Sequence, residues 1–507
     1  MARPGDIPRP PFTALAATGP TAAAAPVNGA VPTDRAASVA PASAAGPAAA
    51  GIAARIERIP VGRFHHRLAG LLGAATFFDG FDAISIAVIL AVVAARYHLT
   101  TGQAGLLVSY GYVGQLAGAV VIGAISDRFG RRPAFLLSVT VFGVLSAVCA
   151  LAWNAPSLGT LRALQGLGLG AEIPVAGTLI NEYLGARGRG RASVAYQSAF
   201  AWGMAVAPMA AIAAFDVAGH RDGWRLMLAA GALPLLLVPV AWRALPESAR
   251  WLAERGRVQE ARARVSDMEN RARERGAVLA APDDVSSPED APAPACRGLR
   301  PVEMLAGPYR VRTLMLAVVW FTTFFIAYGY AVWMPTLYIR VGHLTPTRAL
   351  ELTAALGLLQ VAVVYLTASV ADRIGRKPLL AASFAVMAAG GALGWIGVGL
   401  LGHHTWRMLI ATAIVLVIGA TPPTSVLYLY TAELYPTRMR GFATSTCSGV
   451  NRLASIVSPT LVGYLLGTHG SAGAVFFAFA AAAVLGLVVI VFAGLETTGR
   501  PLDEMSR

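Results

Sequence analysis

The fold is decided by a short charged stretch, Gly123-Ala-Ile-Ser-Asp127-Arg128-Phe-Gly130-Arg131-Arg132-Pro133, which lies between two long apolar runs. The stretch returns as Ser369-Val-Ala-Asp372-Arg373-Ile-Gly375-Arg376-Lys377-Pro378, again between two apolar runs. Asp372 follows Asp127 by 245 residues, about half of the 507-residue chain, and both glycines recur in register with the charges. A repeat at this distance predicts that a membrane-spanning half is duplicated within the chain.

The composition is typical of a membrane protein. Hydrophobic residues make up 56% of the chain and charged residues only 13%, and the mean hydropathy is +0.59. The apolar residues come in runs of about 20, the length that crosses a bilayer as a helix. Because the arginines behind the net charge of +14 cluster in loops between these runs, they indicate membrane topology and no nucleic-acid partner. Three scattered cysteines predict no metal site, and no sequence signature predicts a cofactor or an enzymatic activity.

The runs predict an all-α membrane protein with twelve transmembrane helices in two pseudo-symmetric six-helix halves. We expect the spans at about residues 68–95, 104–126, 133–154, 157–181, 192–217, 224–243, 313–335, 348–371, 379–402, 406–430, 441–467 and 472–495. The halves cover residues 61–244 and 311–495, and a cytoplasmic linker, residues 245–310, joins them. Residues 1–60 are expected to form a disordered Ala/Pro/Gly-rich tail, and residues 496–507 a C-terminal tail. A basic flank before the first span and the even number of spans place both termini in the cytoplasm.

The repeated stretch resembles the signature loop of the major facilitator superfamily, which follows the second and the eighth helix. A second pair of segments supports this resemblance: Glu182-x6-Arg189-Gly190 and Glu433-x6-Arg440-Gly441, 251 residues apart. In the superfamily these positions form a charge network that gates the cytoplasmic side. The resemblance therefore implies the following gating residues: Asp127, Arg128, Gly130, Arg131, Glu182, Arg189, Asp372, Arg373, Gly375, Arg376, Glu433 and Arg440.

Other segments resemble particular groups of proton-coupled carriers within the superfamily. Residues 245–252 and the tail after Leu495 resemble sugar porters, although sugar porters carry Pro at the position of Leu495. Spans 1, 4, 7 and 11 resemble aromatic-acid:proton symporters and nicotinate-type metabolite:proton symporters. The resemblance implies a monomeric, multi-pass protein of the inner or plasma membrane that works by alternating access, with a small-molecule substrate, protons and the lipid bilayer as its partners.

Ionisable residues inside the spans are candidate functional residues, because placing charge within lipid is costly. Span 1 carries Asp79 and Asp82 on one helix face, where two close carboxylates cannot both ionise easily, so that one of them is suited to carry a proton. Asp79 would have no role in transport if it lay solvated at the interface. In span 4, Arg162 is the expected counter-ion of Asp82, so that protonation of Asp82 would release Arg162 and shift the access equilibrium. Glu172 lies about 15 Å further along that helix axis. Three roles stay open for Glu172: substrate binding, a second proton site, or a structural ion pair at the cytoplasmic side.

Span 11 carries Arg452, whose planar guanidinium can bind a carboxylate through two parallel hydrogen bonds. The resemblance to aromatic-acid carriers implies that this arginine binds the substrate carboxylate; the alternative is an internal pair with Glu433 or Glu172. Span 7 is rich in Phe, Thr and Tyr where sugar porters carry a pair of glutamines, and such a wall suits a flat acid better than a hexose. The substrate-binding candidates are Arg452, Tyr328, Trp333 and Gln165.

These features favour proton-coupled import of a small organic acid, either an aromatic or a nicotinate-like carboxylate. The runner-up is a sugar or polyol:proton symporter, supported by residues 245–252 and by the C-terminal tail. A drug:proton antiporter is disfavoured because span 5 carries only part of the expected G-x-x-x-G-P-x-x-G-G pattern, from Gly203 through Pro208. A non-transporting receptor would need an added signalling domain, for which the linker is too short and too polar.

Overall fold

The computed structural model describes residues 47–184, 186–279, 301–468 and 472–498, and within them it contains helices and no strands. The all-helical prediction is therefore confirmed for this part of the chain. The helices, numbered in chain order, are α1 (Pro47–Glu57), α2 (Arg63–Arg96), α3 (Thr101–Phe129), α4 (Arg131–Cys149), α5 (Ala155–Tyr183), α6 (Ala186–Ala230), α7 (Leu237–Ala244), α8 (Ala249–Glu254), α9 (Val258–Arg273), α10 (Gly307–Arg340), α11 (Pro346–Ile374), α12 (Arg376–Gly394), α13 (Trp406–Glu433), α14 (Thr437–Thr468) and α15 (Ala472–Ala493). Short 3₁₀ helices cover Leu233–Leu236 and Pro301–Leu305, and a π-helical turn, Trp395–Leu400, extends α12.

Eleven helical segments of the described residues are long and apolar enough to cross a membrane. Nine of them lie on α2, α3, α4, α5, α10, α11, α12, α13 and α15. The other two are Ser198–Gly219 and Arg221–Ala244, because α6 is broken at Gly219, whose φ is 70°. The remaining predicted span, span 11, corresponds to α14, which has 32 residues but carries the polar pair Asn451 and Arg452 within its apolar run. Polar residues in the middle of a spanning helix mark it as a functional element.

Glycines determine how closely helices approach within the N-terminal half. The backbones of α3 and α5 touch where Gly114 and Gly118 of α3 face α5, and a Cβ on Gly114 would lie 1.8 Å from the Ala163 carbonyl oxygen. Gly166 and Gly170 of α5 make the reciprocal contacts with α3. Small residues allow such close crossings in membranes, as the glycine-rich pattern of span 4 predicts. This crossing holds the polar residues of α5 against α2 and α3.

The two halves meet along a seam between α3 and α14. Ser109 Oγ donates to the Ile456 carbonyl oxygen at 2.6 Å and lies 2.8 Å from Thr460 Oγ1. Closer to the start of α3, a Cβ on Gly105 would lie 2.3 Å from the Pro459 carbonyl oxygen. The seam therefore occupies the N-terminal half of α3, at the end of the bundle opposite to the repeated charged loops. A second inter-half contact joins α6 to α11, where Tyr365 Oη donates to Ser198 Oγ at 3.1 Å.

The N-terminal helix α1 differs from the prediction, which placed disorder throughout residues 1–60. Residues 1–46 lie outside the described residues, but Pro47–Glu57 form a helix whose Ile52 and Ile56 are buried. They join a hydrophobic cluster with Val265 and Met268 of the linker helix α9. The sequence alone did not reveal this because α1 is short, rich in alanine and stable only against a partner surface. The linker likewise buries more apolar side chains than its polar composition suggests.

Candidate functional site

Asp82, Arg162 and Gln165 form a buried polar cluster between α2 and α5. Arg162 Nη1 donates to the two carboxylate oxygens of Asp82 at 2.8 and 2.9 Å and to Gln165 Oε1 at 2.8 Å. Gln165 Nε2 donates to Asp82 Oδ1 at 3.0 Å and to Ser146 Oγ of α4 at 2.5 Å. These side chains are almost completely buried, and the expected contact between Asp82 and Arg162 is present. Because removing one partner of a buried ion pair leaves the other charge uncompensated, the two side chains depend on each other.

Asp79 lies one helical turn from Asp82, on the face of α2 that also carries Thr76. Its side chain is buried and accepts no hydrogen bond from a described residue, so it is not solvated at the interface. Glu172 of α5 is reached from the same face, because Thr76 Oγ1 donates to Glu172 Oε1 at 3.1 Å. The other oxygen of Glu172 is buried without a partner among the described residues, and no ion pair there includes Glu172. Asp79 interacts electrostatically with both Glu172 and Asp82.

Arg452 lies on α14 at the seam and faces the N-terminal half. Its Nη1 donates a hydrogen bond to Oε1 of Gln115, a buried residue of α3. Among the described residues no carboxylate lies within ion-pair distance of Arg452, so neither Glu433 nor Glu172 is its partner. Arg452 also interacts electrostatically with Asp79. The arginine is thus held at the seam between the halves by a neutral amide, and Asp79 acts on its charge from beyond ion-pair distance.

Aromatic side chains from both halves lie beside Arg452. The rings of Tyr112 on α3 and Tyr328 on α10 meet edge to face, with centroids 4.9 Å apart, and both interact electrostatically with Arg452. The buried hydroxyl of Tyr112 has no partner within the described residues. Phe324 extends this group along α10, with its ring centroid 6.0 Å from that of Tyr328. A flat apolar surface with a few hydrogen-bond donors is typical of sites for aromatic ligands.

Two substrate-binding candidates from the sequence are engaged elsewhere. Gln165 uses its amide within the cluster around Asp82. Trp333 is buried, and its indole N–H donates to the Pro459 carbonyl oxygen at 3.0 Å, so that it packs α10 against α14. Gln165 therefore belongs to the cluster around Asp82, and Trp333 contributes to helix packing. Of the four candidates, Tyr328 and Arg452 are the two that lie together at the seam.

The first repeated loop holds its charges in one network. Arg131 pairs with Asp127 at 2.6 Å, and its Nε lies 3.5 Å from Glu182 at the end of α5. Glu247, just after α7, accepts the backbone N–H of Arg131 at 2.9 Å and so caps the start of α4. Gly130 has a φ of 114°, and a Cβ there would lie 2.2 Å from Glu247 Oε2. The loop therefore requires glycine both for its backbone conformation and for the capping carboxylate.

The second repeated loop reproduces this arrangement in the C-terminal half. Arg376 pairs with Asp372 at 2.8 Å and with Glu433 at 3.3 Å. Glu496, just after α15, accepts the backbone N–H groups of Arg376 and Lys377, each at 3.0 Å. The structure thus pairs the equivalent charges in both halves, as an internal duplication predicts.

The remaining predicted gating residues take no part in these ion pairs within the described residues. Arg128 and Arg373 are exposed. Arg440 donates from Nε to the Tyr435 carbonyl oxygen at 3.2 Å. Arg189 lies on α6, and its side chain falls outside the described residues.

Sequence reasoning missed Gln115 and Tyr112, which lie in the apolar run of span 2. A polar residue inside such a run is a usable signal, although a weaker one than a charged residue, because a neutral side chain costs less to place in lipid. Glu247 and Glu496 belong to the two segments that resemble sugar porters, but the sequence alone assigned them no role. Their common position, directly after the last span of each half, is the signal that could have identified them as caps.

Comparisons with known proteins agree with this architecture. The family model described as "Sugar (and other) transporter" matches residues 70–507. The chain is 32% identical over 454 residues to "Niacin transporter NiaP" of Acinetobacter baylyi, covering 90% of this chain and 99% of that protein. It is 28% identical to the "Gentisate transporter" of Corynebacterium glutamicum, covering 84% and 87% of the two chains.

Among solved structures, the xylose transporter XylE from E. coli, in a partially occluded inward open conformation, has a TM-score of 0.69 at 18% identity. The match covers 87% of this chain and 100% of the XylE chain, and it confirms the predicted fold. The family model and the relatives consist of transporters and not of enzymes. The chain therefore belongs to the sugar (and other) transporter family of the major facilitator superfamily and is a multi-pass membrane transporter of small molecules.

Proposed function

We propose that the protein imports a small aromatic carboxylate together with protons. The observation that carries this proposal is Arg452, a guanidinium at the seam between the halves whose hydrogen-bond partner is a neutral amide. A charge of this kind needs an anion, and a carboxylate matches the guanidinium fork with two hydrogen bonds. Tyr112, Tyr328 and Phe324 form an aromatic group at this place, and the Tyr112 hydroxyl has no partner among the described residues. Niacin and gentisate, named for the two relatives, are both aromatic carboxylic acids.

Proton coupling is assigned to the carboxylates that α2 and α5 bring together. In the proposed cycle, a proton on Asp82 weakens the pair with Arg162 and thereby changes the relative stability of the two access states. Asp79 and Glu172 form a second acidic group nearby, in which two buried carboxylates that repel each other are disfavoured from being ionised together. The substrate anion on Arg452 and the protons on these groups would then cross the membrane together.

The further features of this proposal follow from the topology. The inner or plasma membrane is the expected location, with both termini, the linker at residues 245–310 and the repeated loops in the cytoplasm. The charge networks of Arg131 and Arg376 are proposed to form part of the cytoplasmic gate, each staying paired within its own half as the halves move. The protein is expected to act as a monomer without a nucleic-acid partner. In this orientation the seam between α3 and α14 closes the external side.

The alternative function is a sugar or polyol:proton symporter. The description of the family and the fold shared with a xylose transporter favour it. The amides of Gln115 and Gln165 could serve sugar hydroxyls, but each is bound to an arginine in this structure. A substrate panel that contains both acids and hexoses separates the two functions.

The test is uptake into proteoliposomes under an imposed inward proton gradient. The panel contains benzoate, nicotinate, gentisate and a hexose, and the parent is compared with Asp82→Asn and Arg452→Ala. We expect uptake of an aromatic acid that depends on the gradient, loses its coupling in Asp82→Asn and is abolished in Arg452→Ala. Hexose uptake that is unaffected by Arg452→Ala would refute the carboxylate proposal and favour the sugar alternative.

A further inference from the structure

Gln115 is the α3 partner of Arg452, and the bond between them joins the two halves of the transporter. Of the described hydrogen bonds between α3 and α14, this bond lies farther from the start of α3 than those of Ser109. Its Oε1 must face the guanidinium, because arginine has only donors and an amide accepts only through its oxygen. Gln115 is 4% exposed, so water does not easily replace it as the acceptor.

A substrate carboxylate would compete with Gln115 for the same N–H groups. The amide offers one neutral oxygen, whereas a carboxylate offers two oxygens and a negative charge. The bond to Gln115 is already charge-assisted through the guanidinium, but a carboxylate adds a second parallel hydrogen bond and the attraction of opposite charges, so exchange of the amide for the carboxylate is favourable. The exchange also removes a hydrogen bond between the halves, because Gln115 belongs to one half and Arg452 to the other.

We propose that Gln115 is a displaceable placeholder for the substrate carboxylate, which positions Arg452 in the empty transporter and releases it when the acid binds. This inference rests on the proposed function of Arg452 as the carboxylate-binding residue. It also explains how substrate binding weakens the contact between the halves, because the hydrogen bond between Gln115 and Arg452 is replaced by a bond to the substrate. Gln115 is a positioning residue under this proposal, and it also favours anions over neutral analogues.

The test measures equilibrium binding of nicotinate to the purified full-length protein by calorimetry, with nicotinamide as the neutral analogue. In Gln115→Glu a fixed carboxylate occupies Arg452, so nicotinate affinity should fall at least about tenfold while nicotinamide binding stays within about twofold. In Gln115→Met the competing acceptor is gone, and nicotinate should bind as tightly as to the parent or up to about tenfold more tightly. Ser109→Ala is the matched control, because it removes a different α3–α14 hydrogen bond and should leave the affinity unchanged.

A Gln115→Glu protein that binds nicotinate like the parent overturns the proposal. So does a Gln115→Met protein that loses as much affinity as Gln115→Glu, since that result fits a purely structural role. If Gln115→Glu does not fold, the proposal is tested with Gln115→Met alone, and a tenfold loss of nicotinate affinity in that variant refutes it. Arg452→Ala is measured in the same experiment. If Arg452→Ala binds nicotinate normally, the proposed function itself has failed. If Arg452→Ala loses nicotinate binding while Gln115→Glu binds it normally, only the placeholder proposal is rejected.

Discussion

At the residue scale, substitutions of Arg452 test whether substrate binding needs the planar guanidinium or only its positive charge. Arg452→Lys keeps the charge but loses the planar fork, and a lost charge-assisted hydrogen bond costs about 1.5–3 kcal/mol. We therefore expect a rise of roughly 10- to 100-fold in the KM for nicotinate uptake, and no measurable uptake with Arg452→Ala. A KM within twofold of the parent in Arg452→Lys would mean that a point charge is sufficient and that the fork is not used.

Asp82 provides the second test on a single side chain. Asp82→Asn keeps the size and can still accept from Arg162, but it cannot carry a proton. Accumulation of substrate against its gradient should be lost, whereas exchange of labelled for unlabelled substrate should continue, because exchange needs no net proton movement. Asp79→Asn is compared in the same assays, and Asp222→Asn, an exposed carboxylate near the end of α6, serves as the control. Full accumulation in Asp82→Asn with loss in Asp79→Asn would transfer the proton role to Asp79.

The sequence was sufficient for single residues that carry charge in apolar runs. The pairing of Asp82 with Arg162 could be predicted because an unpaired charge within a membrane is costly and opposite charges there tend to pair. The partner of Arg452 could not be predicted, because it depends on the rotation of α14 about its axis and on a neutral residue of another half. The burial of Trp333 against α14 also depends on this rotation. The sequence pattern of span 7 does not distinguish a tryptophan that packs against another helix from one that binds substrate.

At the scale of elements, the repeated loops show how a capping carboxylate constrains a glycine. Gly130→Ala would place Cβ 2.2 Å from Glu247 Oε2 and would force alanine into a positive φ. Gly375→Ala shares the positive φ, but its Cβ would lie 2.9 Å from Glu496 Oε2. We expect both variants to unfold at lower temperature than the parent in detergent, with the larger decrease for Gly130→Ala. Gly123→Ala, where a Cβ meets no atom within 4 Å, is the control, and an equal decrease in all three would reject the capping explanation.

The N-terminal helix α1 contacts α9 through ion pairs with Glu269, and we expect its docking to depend on pH. Arg55 and Arg58 lie 2.8 and 2.6 Å from its carboxylate. Burial opposes ionisation, but the hydrogen bonds from the two arginines outweigh it, and the pKa of Glu269 is lowered. A carboxyl group with a lowered pKa contributes stability above its unfolded pKa of about 4.3 and loses it as the pH falls through the folded value. Docking of α1 should therefore be complete at neutral pH and weaken below about pH 4.

Glu269→Gln should release α1 at neutral pH by removing this charge. The loss of about 2 kcal/mol would lower hydrogen-exchange protection in residues 47–59 roughly 30-fold, without unfolding the membrane helices. Glu260→Gln, an exposed change on the same helix, is the matched control. Unchanged protection in Glu269→Gln would show that Ile52 and Ile56 dock α1 without help from the ion pairs.

At the scale of the whole molecule, the duplication could be predicted from the sequence because motifs at matching positions repeat at nearly constant distance. The contacts between the halves could not, since they depend on which access state the protein adopts. The structure closes the seam between α3 and α14 near Ser109 and Thr460, while Arg131 and Arg376 pair within their own halves. One rigid-body motion of the halves can therefore open the seam without breaking these ion pairs.

Alternating access requires this seam to open in every transport cycle, and a covalent link across it tests the requirement. Ser109 Oγ and Thr460 Oγ1 are 2.8 Å apart, so cysteines at both positions are close enough to form a disulfide. With the native cysteines replaced, Ser109→Cys/Thr460→Cys should lose nicotinate uptake after oxidation and recover it after reduction, whereas either single cysteine should transport in both conditions. Nicotinate binding measured in detergent should persist in the oxidised protein, since the cross-link replaces none of Arg452, Tyr112 and Tyr328. Transport by a fully cross-linked protein would show that α3 and α14 do not separate during the cycle, and the opening would then have to lie between α6 and α11.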